Sequence, residues 1–211
     1  MITIHNLNSS RSERIIWLME ELGLPYQLDQ FERTAQGGSP PEMLKLHALG
    51  KAPVISDDGL VLAESGAIVE YVIARYADGR LSVPSSSPDF ANYLYWFHYA
   101  EGSLMPQLLR ELTLTRVLPD ADTTPIMARV RTLTQKHLQL VDEHLSHSAY
   151  FAGASFTAAD IMMVFAFTTL KDFMKIDLTS CPALNAYLAR IAERPAYIKA
   201  MSLCGPTWKA A

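Results

Sequence analysis

An α/β domain followed by an all-helical domain is the fold this sequence predicts. Three observations carry that reading. Strand and helix signals alternate through residues 1–80 in the order βαβαββα. A stretch rich in Pro, Ser and Gly, "DGRLSVPSSSPDF" at residues 78–90, then interrupts them. Beyond it the strand signals stop. The boundaries that follow are 1–80 for the α/β domain, 81–89 for a linker and 90–211 for the helical domain.

Each element has its own signal. "ITIHNL" (2–7) alternates apolar and polar residues, as a half-buried strand does. From Arg11, the positions Ile15, Leu18, Met19 and Leu22 repeat at helical spacing, and Gly23 is a natural stop. "PYQLDQF" (25–31) reads as a second strand, and strand–helix–strand at this spacing predicts a parallel βαβ pair. "GGSPPEMLKLHALG" is a loop with a short irregular helix. "APVISDDGLVLAE" is a hairpin around Asp-Asp-Gly. "ESGAIVEYVIARYA" is a helix with Ile68, Tyr71, Val72 and Arg75 on one side. After the linker, residues 90–117, 124–146, 157–172 and 182–194 read as helices. In "SFTAADIM", Thr157 and Asp160 form a capping box, and Phe156 and Ile161 are placed for a hydrophobic staple.

Composition narrows the function. The 211 residues are 49% apolar, enough for a substantial core. A net charge of −4 with no basic block argues against nucleic-acid binding, which needs clustered Lys and Arg. Cys181 and Cys204 lack metal-site spacing, so neither a disulfide framework nor a structural metal is expected. Met1 runs straight into a strand pattern, and "AADIMMVFAFTTL" is too short to span a bilayer. No membrane partner is expected, and the setting predicted is cytoplasmic and reducing.

Three stretches, "NSSRSERIIWLMEELGLPY", "HALGKAPVISDDGLVLAESGAIVEY" and "SFTAADIMM", resemble the cytosolic glutathione S-transferases, in particular the bacterial and fungal type with an SRSxR start. They keep that family's order and spacing across residues 1–205. The resemblance implies a thioredoxin-like N-terminal domain that binds glutathione. It also implies a helical domain that shapes the second-substrate pocket, a homodimer, and no metal. The activity implied is conjugation of the glutathione thiolate to small hydrophobic electrophiles, a detoxification chemistry. Glutathione-dependent peroxidase, isomerase or dehalogenase chemistry, or a non-catalytic binding protein on the same fold, are the alternatives.

Glutathione carries a carboxylate at each end, an ammonium at one of them and a thiol in the middle. The resemblance assigns a partner to each. Pro53 is expected to be cis, leaving the backbone of Ala52 to pair with the ligand's cysteine. Ser65, at a helix start, suits the γ-glutamyl carboxylate, and Glu64 the ammonium. Lys51 is the candidate for the glycine carboxylate. His47 either contacts the ligand or fixes the loop. Glu101 is expected to reach the partner's γ-glutamyl group across the dimer. Tyr95, His98, Tyr99 and Met105 are candidates for the electrophile pocket.

The catalytic requirement is a thiolate. A free thiol has a pKa of about 8.5, so about 3% is ionised at pH 7, and a two-unit shift takes about 2.7 kcal/mol. A hydroxyl donor at a helix N-terminus can supply that. The position four residues before Arg14 nominates Ser10, by likeness to serine-type relatives. Ser9 and Ser12 are rivals. "SRSE" (10–13) also reads as a capping box, in which Ser10 caps the helix and Glu13 answers at N3. Arg11 either adds positive potential near the thiolate or is a salt-bridged surface residue.

Overall fold

The computed structural model describes residues 1–204 and divides them into two compact units. The first unit holds Met1–Ser82 and, of the described residues, those from Ile191 to Cys204; the second holds Val83–Arg190.

The first unit is a four-stranded sheet in the order β2-β1-β3-β4, built from β1 (Ile2–Leu7), β2 (Tyr26–Phe31), β3 (Val54–Asp57) and β4 (Leu60–Ala63). β1 and β2 are parallel, joined by α1 (Ser12–Leu22); β3 runs antiparallel to both β1 and β4. This is the thioredoxin-like order the resemblance implies. Gly23 closes α1 in a left-handed conformation, its N–H returned to Glu20 and Met19. The hairpin turn uses φ of +45° at Asp58 and +86° at Gly59, the left-handed pair a tight β-turn needs. α2 (Met43–Leu46) is short, and its Met43 packs with Leu7, Ala52 and Phe31 against one end of the sheet. α3 (Ser65–Tyr76) follows β4 and buries Ile68, Val69 and Val72.

The helix ending the first unit, α10 (Pro195–Cys204), lies beyond the last helix read from the sequence. It packs on α1: Arg194 forks onto both oxygens of Glu21 at 2.7 Å each, Lys199 reaches Glu20 at 2.8 Å, and Trp17 meets Tyr197 edge to face at 4.8 Å. The end of the resemblance, residue 205, and the chain beyond it lie outside the described residues.

The second unit is helical throughout: α4 (Phe90–Tyr99), α5 (Met105–Val117), α6 (Pro125–His147), α7 (Ala158–Phe167), α8 (Thr169–Met174) and most of α9 (Pro182–Ala192). Two expected single helices are interrupted. A π-helical turn, Ala100–Leu104, separates α4 from α5. Thr168, with φ −117° and ψ −96°, breaks 157–172 into α7 and α8. The Thr157–Asp160 capping box forms as read. Asp160 is fully buried and accepts from the N–H of Thr157 (2.8 Å), the N–H of Phe151 (3.0 Å) and the hydroxyls of Tyr187 (3.0 Å) and Thr157 (3.2 Å). Burial pushes its carboxyl up to about 6 despite those donors. Both cysteines are free and buried. Among the described residues, no helix is long and apolar enough to cross a membrane.

Candidate functional site

A cleft in the first unit is lined by Arg11, His47, Leu49, Lys51, Ala52, Pro53, Ala63, Glu64 and Ser65. These residues come from the start of α1, the loop after α2, the entry to β3 and the β4–α3 junction. The fold therefore gathers Lys51, Ala52, Pro53, Glu64 and Ser65, together with Arg11 and His47.

The entry to β3 is set by two backbone features. The Ala52–Pro53 bond is cis, as expected. Strand pairing begins at Val54, so Ala52 and Pro53 precede the ladder. Just upstream, Gly50 sits at φ +57°, and a Cβ there would lie 2.9 Å from Cδ2 of Leu44. Only glycine fits that turn without displacing the side chain. His47 is partly exposed, and its Nδ1 accepts the N–H of Leu49 at 3.4 Å, a long bond within the loop. Lys51 is exposed.

At the β4–α3 junction, Glu64 is exposed and adopts φ +72°, ψ +119°, a conformation costly for any residue with a Cβ. It immediately precedes α3, whose first residue, Ser65, is only 3% exposed. The strained junction brings Glu64 and the first residue of α3, Ser65, to the lining of the same cleft. A helix N-terminus carries unpaired N–H groups and partial positive charge, so it suits a carboxylate.

The serine-rich turn before α1 resolves into three different hydroxyls. α1 starts at Ser12 with Arg11 as its N-cap, and no side chain caps it there. The Ser10–Glu13 capping box therefore does not form as read. Ser10 Oγ accepts the N–H of Ser12 at 3.1 Å and donates to Ser12 Oγ at 3.0 Å. Ser12 Oγ in turn accepts the N–H of Leu7 at 3.4 Å. The hydroxyl of Ser10 is thus engaged within the turn, and Ser10 is not among the cleft-lining residues. Ser9 is different. It is 4% exposed, its φ is +54°, and its Oγ has no hydrogen-bond partner among the described residues.

What holds Ser9 there is a residue the sequence reading missed. Arg33, just past β2, donates from Nη2 to the Ser9 carbonyl (2.7 Å), from Nε to the Asn8 carbonyl (2.9 Å) and from Nη1 to the Gly37 carbonyl (2.8 Å). One guanidinium ties the turn before α1 to the 34–38 turn. Burial lowers its pKa, and no carboxylate counters that.

Glu101 belongs to the second unit, in the π-helical turn, and is partly exposed. Of the electrophile-pocket candidates, Met105 is 2% exposed and is core. Tyr99 is buried and hydrogen-bonded to His137. Tyr95 is half exposed and stacks on Tyr99 with centroids 5.5 Å apart; His98 is exposed.

Comparison with known proteins matches both parts of the chain to one family. Residues 1–74 match the family model for the glutathione S-transferase N-terminal domain, and residues 104–195 that for the C-terminal domain. The chain is 34% identical to glutathione S-transferase 3 of Schizosaccharomyces pombe, over 93% of this chain and 85% of that protein. It is similar to a crystal structure of a glutathione S-transferase from Actinobacillus pleuropneumoniae, with TM-score 0.86, 31% identity, and 97% and 93% of the two chains covered. A sphingomonad glutathione S-transferase, solved complexed with glutathione, shares the fold at TM-score 0.77 and 22% identity, over 96% of this chain and 98% of that one.

Proposed function

Because this chain belongs to the glutathione S-transferase family, we propose that it binds glutathione in the cleft beside Pro53 and adds the ligand's thiolate to small hydrophobic electrophiles. It is a glutathione transferase, with glutathione as its co-substrate. The observation that carries the site is the convergence of Lys51, Ala52, Pro53, Glu64 and Ser65 on one cleft from separate segments. Their chemistry fits the ligand end for end. Glu64 accepts from the γ-glutamyl ammonium. Ser65 and the first N–H groups of α3 receive the γ-glutamyl carboxylate. The backbone of Ala52, oriented by Pro53, pairs with the cysteine. Lys51 meets the glycine carboxylate.

Two hydroxyls compete for the thiolate. Ser10 is the residue nominated by spacing, and it would have to release Ser12 to serve the sulfur. Ser9 supports the role better, since its hydroxyl is buried, already desolvated and without a partner among the described residues. A buried unpaired polar group costs stability, and a functional role is one reason a fold retains it. Ser9 also sits in a strained conformation, of the kind that clusters at functional turns. We assign the donor role to Ser9 and keep Ser10 as the second reading.

The functional molecule we propose is a cytoplasmic homodimer that detoxifies electrophiles, with Glu101 of the partner subunit completing each glutathione site. Mixed dimers carrying Ser65→Ala on one chain and Glu101→Ala on the other test that sharing: one site should keep full activity. The binding claim itself is tested by thermal and urea unfolding. Glutathione at 100 times its dissociation constant should add about 2.7 kcal/mol of stability. An unchanged unfolding curve at saturating glutathione rejects the site. Turnover of peroxide in preference to an aryl halide would favour the peroxidase alternative. Retention on immobilised glutathione without any turnover would favour a binding protein.

A further inference from the structure

The register of the sheet places three polar side chains on one face. His5 lies opposite Asp29 across the β1–β2 pair. Thr3 lies opposite Ser56 across the β1–β3 pair, which makes Ser56 the diagonal neighbour of His5. The side chains meet in an ordered relay. Asp29 Oδ2 is 3.0 Å from Nδ1 of His5, and Nε2 of His5 is 2.7 Å from Ser56 Oγ. A carboxylate only accepts, so the bond to Asp29 puts the imidazole proton on Nδ1. Nε2 is then the acceptor for the Ser56 hydroxyl. His5 is 7% exposed, Ser56 is half-buried, and the Asp29 side chain is half exposed. None of the three lines the cleft at Pro53.

We propose that Ser56, His5 and Asp29 form a second reactive centre, in which Ser56 is a nucleophile for small acylating electrophiles such as activated aryl esters. The roles are those of a serine nucleophile, its base and the group that orients the base. Ser56 Oγ attacks the ester carbonyl carbon while Nε2 of His5 takes the hydroxyl proton. The C–O bond to the phenol breaks, the phenolate leaves with the electron pair of that bond, and the acyl group stays on Ser56. The open end of this face admits such a reagent. Val61, opposite Ser56 on β4, is 46% exposed, and Gln27, opposite Thr3 on β2, is exposed. The other end is closed by Leu7 and Met43.

The same sheet limits turnover. β3 is hydrogen-bonded to β1 on one side and β4 on the other, which commits the backbone donors beside Ser56 to the ladder. A tetrahedral oxyanion there lacks the paired N–H groups that speed acyl transfer in hydrolases. The centre therefore acylates stoichiometrically and releases its acyl group slowly.

The test uses the full chain and p-nitrophenyl acetate, with no glutathione present. One equivalent of p-nitrophenolate should be released per chain, and peptide mapping should place the acetyl group on Ser56. The burst should vanish in Ser56→Ala, whose glutathione conjugation is unchanged. His5→Gln should slow Ser56 acetylation about a hundredfold or more, the low side of what a general base contributes. Asp29→Asn should slow it several-fold. Acetylation confined to other residues overturns the proposal, as does Ser56 acetylated at the wild-type rate in His5→Gln. If His5→Gln loses conjugating activity and so its fold, Asp29→Asn decides alone, since its half-exposed side chain tolerates replacement. A wild-type acetylation rate there overturns the proposal equally.

Discussion

Ser9→Ala should make the protein more stable and less active at once. In the free enzyme the Ser9 hydroxyl is buried and unpartnered. Leaving such a group unsatisfied costs about 1–3 kcal/mol, so its removal should stabilise the fold or leave it unchanged. The backbone does not offset this, because Ala meets the same strain as Ser at φ +54°. With glutathione bound, the same hydroxyl donates to a thiolate, a bond to a charged group worth about 1.5–3 kcal/mol. Its loss should raise the pKa of the bound thiol by about one to two units and lower thiolate-limited turnover by about 10- to 150-fold. The pKa is read from thiolate absorbance in a pH titration of the complex, and stability from urea unfolding of the free enzyme. Ser10→Ala is the contrasting variant. It removes both hydrogen bonds between Ser10 Oγ and Ser12, so it should cost about 0.5–1.5 kcal/mol of stability for each and leave the thiol pKa in place. A thiol pKa raised in Ser10→Ala and unchanged in Ser9→Ala would return the donor role to Ser10.

Three further outcomes are expected. Glu64→Ala keeps the strained backbone and removes only the carboxylate, so calorimetric titration should show weaker glutathione binding with a melting temperature close to wild type; equal affinity would reject the ammonium contact. Arg33→Met removes three hydrogen bonds to carbonyls from one guanidinium and should cost at least about 1.5 kcal/mol in urea unfolding; Arg33→Lys cannot span all three and should recover only part of it. Asp160, raised to about 6 against about 3.8 in the unfolded chain, favours folding fully below pH 3.8 and loses that contribution as pH rises through 6. The stability of wild type relative to Asp160→Asn should therefore fall by about 2.4 kcal/mol between pH 4 and pH 7, most of the roughly 3 kcal/mol that 1.36 kcal/mol per pKa unit gives from 3.8 to about 6; a pH-independent difference would show that Asp160 does not titrate there.

What could be read from the chain and what could not divide along a physical line. The Thr157–Asp160 box was legible because a capping box is a local pattern, fixed by residues three apart. The βαβαββα order and the Asp58–Gly59 turn were legible for the same reason. The cleft residues were found through family likeness, since nothing in the composition of "GKAPV" or "ESGAI" separates a ligand site from a strand start and a helix start. Arg33 left no signal. Its partners are backbone carbonyls of Asn8, Ser9 and Gly37, and a carbonyl is the same whichever residue bears it. Ser9 and Ser10 are chemically identical in the sequence and differ in the fold by the sign of one φ and the direction of one hydroxyl. The break at 100–104 did carry a signal, Gly102-Ser103 followed by Pro106 in the first turn of α5, whereas Thr168 carries neither glycine nor proline and helical periodicity ran straight through it. The relay through His5 depends on strand register, which sets distances between residues 24 and 51 positions apart.

The place of α10 has a consequence for how the chain is made. A ribosome delivers residues 1–82 long before Ile191 emerges, yet the outer side of α1 is finished only by the last helix. Until then Trp17 lacks its stacking partner, and Glu20 and Glu21 lack the cations that Lys199 and Arg194 bring. The sheet can assemble early, but its first helix waits, half covered, through synthesis of the whole helical unit. A nascent chain stalled before Pro195 should expose that face to chaperones and proteases. A C-terminal tag or truncation that disturbs residues 195–204 should act as a lesion in the glutathione-binding half, far away in sequence though adjacent in space.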